Sequence, residues 1–138
     1  MGLGWHVALD KPIPGLKAPA ADGKALIHRQ HDLDEIAGRL GCEPLTRFVS
    51  VNPAALSRYL QEQGLDPDNF PIPDEEWFEA AEGLKTVRGL LAHIKSRPDA
   101  VLDAGRIVRD LQAIEQILAV AEQAQVLFHL TSDMPSLG

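Results

Sequence analysis

Between about Asp103 and Gln123, apolar side chains recur at Ile107, Val108, Leu111, Ile114, Leu118 and Ala121. That is the 3.6-residue period of a helix with one buried face, with Arg106, Arg109, Asp110, Gln112 and Glu115 mostly opposite. Directly after it comes Val126-Leu127-Phe128-His129-Leu130, a continuous apolar run of β-formers that reads as a strand. At the other end of the chain, Leu3 to Leu9 places Trp5, Val7 and Leu9 on one face at period two, a second short strand closed by Asp10-Lys11-Pro12. A lone strand at each terminus has few ways to satisfy its backbone hydrogen bonds except by pairing with the other. The alternation leaves the direction of pairing open. The expected fold is therefore α+β: about four helices packed on a small sheet formed by the N- and C-terminal strands.

The intervening helices follow from their own signals. Asp32, with Glu35 three residues on, resembles a capping box ahead of Leu33, Ile36, Ala37 and Leu40, and Gly41 supplies the stop. Lys24 to Ile27 reads as a short extended piece or a lead-in, and Leu45 to Val51 as a strand or an irregular buried link. Asn52-Pro53 starts a helix carrying Leu56, Tyr59 and Leu60 and ended by Gly64. Leu84, Val87, Leu91 and Ile94 mark a long helix that begins between Asp74 and Ala80 and ends before Pro98. Gly83 and Gly89 within it imply either a break or a close helix contact. The Pro-rich stretches are loops, the tail from Thr131 is expected to be loose, and residues 1–138 form a single domain, which suits their number.

Charge is unevenly distributed. The chain carries a formal net charge of −7. Between Arg58 and Lys85 there is no basic residue, while Glu62, Asp66, Asp68, Asp74, Glu75, Glu76, Glu79 and Glu82 give that window −8 and leave the remainder at +1. The same window holds Tyr59, Phe70, Trp77 and Phe78, four of the seven aromatic residues. Acids interleaved with aromatics on a proline-rich loop suit a protein-binding surface, because aromatics anchor and acids steer a basic partner. The competing explanation is local. Asp74, Glu75 and Glu76 in the first turn of a helix favour its macrodipole, and Trp77 and Phe78 roof the core.

The acid excess argues against nucleic acid and against an anionic membrane surface. Lys85, Arg88, Lys95 and Arg97 on one helix soften the first exclusion for that face. No apolar run reaches the ~18–20 residues of a membrane span. The N-terminus has neither a basic region nor an apolar core of a secretory signal. Cys42 is the single cysteine, so no intrachain disulfide forms, which fits a cytoplasmic location.

Chemistry-bearing motifs are sparse. His28 and His31, with Asp32 nearby, would bind a metal only if they shared a helical face. His6 and His129 fall on the two terminal strands, where facing imidazoles would suit acid–base work near neutrality. Cys42 follows a helix C-terminus beside Glu43, an environment that does not favour a thiolate. No phosphate-binding glycine motif or nucleophile elbow occurs, so no cofactor is expected.

The leading expectation is a non-catalytic interaction domain (inhibitor, adaptor or immunity-like) that presents Asp68, Phe70, Asp74, Glu75, Glu76, Trp77, Phe78 and Glu79 to a basic protein. The alternatives are a small metal-binding protein or hydrolase-type enzyme using histidines, and a small-molecule sensor with an apolar pocket between the last helix and the sheet. The alanines at 113, 119, 121 and 124 suggest a homodimer.

Overall fold

The computed structural model describes residues 4–16, 23–72 and 74–132. Strand β1 (Trp5–Leu9) and strand β2 (Phe128–Ser132) pair antiparallel, with Trp5 opposite Ser132, Val7 opposite Leu130 and Leu9 opposite Phe128. Paired residues share a face, so Trp5, Val7, Leu9, Phe128 and Leu130 point one way, and His6, Ala8, His129 and Thr131 the other. β2 begins two residues later than its apolar run and continues through Thr131 and Ser132, into what reads as a loose tail. The reason lies at Gln125, which turns left-handed at φ 58° to end the preceding helix. Val126 then donates its N–H back to Ala121, and the Leu127 N–H goes to the Asp10 carboxylate, 2.8 Å away.

The described residues include five α-helices. α1 (Lys24–His28) and α2 (Gln30–Arg39) run almost end to end, with a change of direction at Arg29. The extended reading of residues 24–27 is thus replaced by a helical turn. Gly23, at φ 69°, lies so close to the backbone of Trp5 that a Cβ would overlap its carbonyl oxygen, and the chain turns there into α1. Ala25 and Leu26 are then buried. Asp32 is not the cap. The Leu33 N–H already donates to Arg29 O, so α2 is entered directly from α1, and Asp32 lies in its first turn.

Residues Leu45–Phe48 form a 3-10 turn, and beyond it the Ser50 N–H donates to Leu130 O at 2.9 Å. Phe78 exchanges both backbone hydrogen bonds with Phe128, at 2.8 and 2.9 Å. β2 is therefore flanked on both edges, by β1 on one side and by these two short contacts on the other.

α4 (Ala80–Ser96) and α5 (Ala104–Ala124) form the main helical layer. α4 runs unbroken through both glycines, which serve close contact. A Cβ on Gly83 would overlap the Phe128 ring and meet Leu118 Cδ1 at 3.0 Å, and one on Gly89 would meet Cys42 Sγ at 3.2 Å. Beneath them Phe48, Phe78 and Phe128 form an aromatic cluster, with Phe48 edge-on to Phe78 at 5.4 Å between ring centroids. On α5, Asp110 is buried rather than outward. Its position three after Ile107 and four before Ile114 puts it on the core stripe. No helix among the described residues is long and apolar enough to cross a membrane.

α3 (Pro53–Glu62) differs from the rest. Asn52 caps it, accepting N–H bonds from Ala54 at 2.9 Å and Ala55 at 3.3 Å, with Pro53 in the first turn. Not one of its side chains is fully buried. Leu56, Tyr59 and Leu60 are half-buried, and the element that α3 chiefly touches is the Pro67–Asn69 turn that follows it. α3 and this turn make an arm at the edge of the molecule.

Candidate functional site

The arm returns to the body through residues 74–79, an extended segment that runs beside β2 before α4 begins. Its backbone is fixed at two points: the Glu76 N–H donates to Ser50 Oγ at 2.8 Å, and Phe78 pairs with Phe128. Period-two alternation then sorts its side chains. Glu76 faces outward and lies 3.6 Å from Arg47, whose guanidinium sits 4.9 Å from the centre of the Phe78 ring. Glu75 and Trp77 turn toward the sheet face that carries His129.

His129 is 1% exposed. Its Nε2 lies 2.7 Å from Glu75 Oε2 and its Nδ1 3.1 Å from the Leu130 carbonyl oxygen. The Trp77 ring covers it, at 4.7 Å between centroids. Both ring nitrogens are therefore engaged, and neither is presented to a substrate or a metal. His6 shares that sheet face but stands opposite Thr131, on the diagonal from His129. It is exposed, so the two histidines do not face one another as a pair.

The other histidine candidates separate as well. His28 ends α1 and His31 lies in α2, with the non-helical Arg29 between them, so the three-residue spacing does not set them on one helical face. Among the described residues no group of three or more His, Cys, Asp and Glu side chains is placed to hold a metal ion. A cavity of about 360 Å³ is lined by residues including Cys42, Arg47, Phe78, Glu82 and Lys85. Another of about 320 Å³ lies between the start of α4 and the end of α5. No histidine lines either one.

The eight predicted surface residues thus divide. Asp68, Phe70, Asp74, Glu76 and Glu79 are exposed, Phe70 at 42%. Trp77 is half-buried, Glu75 is turned inward onto His129, and Phe78 belongs to the core. Phe78 therefore cannot serve as an accessible anchor. Leu65, also 42% exposed, joins Phe70 on the arm. Of the eight acids in the window, all but Glu75 are exposed. The alanines proposed for a dimer do not form an open stripe: Ala113 and Ala121 are buried within the molecule. Two participants carried no sequence signal. Ser50 and Arg47 act on residues 26 and 29 positions away, through contacts that only the fold creates.

No protein-family model, curated protein or solved structure matches this chain.

Proposed function

We propose that this chain is a non-catalytic interaction domain whose acidic arm and the adjoining segment 74–79 bind a basic protein. The observation that carries the reading is the position of Asp74 and Glu76. They lie in extended chain ahead of α4 rather than in its first turn, where the acid is Glu82. Helix-dipole stabilisation therefore does not account for them, since it is confined to the terminal turn. Asp68, Asp74 and Glu79 make no side-chain hydrogen bond or ion pair among the described residues. Their charge is available to a partner, and Phe70 and Leu65 beside them offer apolar anchors. The reading places the protein in the cytoplasm, where its one free cysteine, Cys42, stays reduced.

The test reverses three of these exposed acids together, as Asp68→Lys, Asp74→Lys and Glu79→Lys. Wild type and variant are cross-linked in source-cell lysate across a salt series, and captured proteins are identified by mass spectrometry. The expected result is a basic protein captured by wild type, released as salt rises, and lost from a variant that still folds. Recovery of the same proteins by the variant at the same salt tolerance overturns the proposal.

A further inference from the structure

We propose that Glu75, Trp77 and His129 form a proton-dependent latch that holds the acidic segment 74–79 against the sheet. The argument is a count of hydrogens. A carbonyl oxygen only accepts, so the contact between His129 Nδ1 and Leu130 O, at 3.1 Å, needs a hydrogen on Nδ1. The contact between Nε2 and Glu75 Oε2, at 2.7 Å, needs a second hydrogen, on one atom or the other. A neutral imidazole beside an ionised carboxylate has one hydrogen for these two contacts. The observed arrangement is satisfied when the pair holds one proton more.

Removing that proton sets two lone pairs against each other, at Leu130 in one tautomer or at Glu75 in the other. His129 is 1% exposed and covered by the Trp77 ring, so water does not readily repair the loss. Among the described residues, the ionisable groups on this sheet face and beside the segment can be named. His6 from β1 shares the sheet face, Asp10 is held by the Leu127 N–H, and Arg47 and Glu76 are paired with each other. The remaining side chains of that face, Ala8 and Thr131, do not ionise. The latch is therefore closed when protonated and loosens as pH rises. The hydrogen count is independent of any partner. Only the consequence, that the latch governs how a binding surface is held, rests on the interaction reading.

The test uses the full chain. With ¹⁵N-labelled histidine, NMR follows the ring nitrogens of His129, and Trp77 emission is recorded after Trp5→Phe removes the other indole. Should that variant not fold, the indole N–H resonance of Trp77 in the wild-type chain replaces emission. The expected result is a second proton in the His129 Nε2–Glu75 contact that is lost as pH rises, with a concurrent change at Trp77. In Glu75→Gln the amide N–H donates to a neutral Nε2, so both contacts survive without the extra proton. The Trp77 transition then disappears while the fold is kept.

A His129 Nε2–Glu75 contact that never gains the second proton, on either atom, overturns the proposal. So does a Trp77 signal that stays flat while the ring titrates, or a Glu75→Gln variant that keeps the wild-type transition. A failed capture experiment leaves all three readouts in place, so the two proposals fall separately.

Discussion

At the scale of single residues, Gly83 controls how closely the helical layer meets the sheet. Its Cα lies against the Phe128 ring, itself 1% exposed and fixed between Phe48 and Phe78. A methyl group there cannot be absorbed by a flexible side-chain end, because the obstacle is a packed aromatic ring. Gly83→Ala gains helix propensity of about 1 kcal/mol. It meets an overpacking cost of about 1–3 kcal/mol, so a net loss of stability is expected. A urea titration checks this: the midpoint should fall while the slope is unchanged. In sequence this glycine is equally compatible with a broken helix, because propensity alone reports its cost and not its contact. Asp110 makes the complementary point. Its burial was legible from its spacing to Ile107 and Ile114, and its charge concealed it.

At the scale of elements, the sequence was most readable where periodicity was long or a cap was local. The buried stripe of α5, the Asn52-Pro53 start of α3 and the two terminal strands all follow from signals within a few residues of the element they define. Elements set by distant contacts were not readable. α1 forms because Gly23 turns against Trp5, and the 45–48 turn leads into a backbone bond with Leu130. The candidate site divides along the same line. The acidic segment and His129 were each visible, but their juxtaposition joins positions 54 apart and appears only in the fold. α3 offers a direct test of local against global stability. With no side chain fully buried, it depends on its cap more than on the core. Asn52→Ala should weaken it by about 1 kcal/mol. Hydrogen exchange should accelerate across residues 53–62, about fivefold, while the amides of α5 hold their protection. Equal acceleration in both helices would show that α3 does not open independently.

At the scale of the whole molecule, the net charge of −7 is a statement about one region. The window between Arg58 and Lys85 carries −8, and its exposed carboxylates are gathered on the arm, the returning segment and the start of α4. Like charges held together on one part of the fold repel one another, and among the described residues Arg47 offsets only Glu76. Such repulsion is screened by salt. It gives a measurable consequence in the isolated protein. At about 0.01 M salt the Debye length is roughly 30 Å, and the acids of the arm interact across its full extent; at about 1 M it is roughly 3 Å, and they do not. Local stability of α3, read again by hydrogen exchange, should therefore rise with sodium chloride in the wild-type chain. Asp68→Lys, Asp74→Lys and Glu79→Lys together bring the formal net charge from −7 to −1. In that variant α3 should start more stable and respond little to salt. If both proteins show the same salt dependence, repulsion among these acids is not what limits the arm. Its loose packing would then have to be traced to its half-buried apolar face alone.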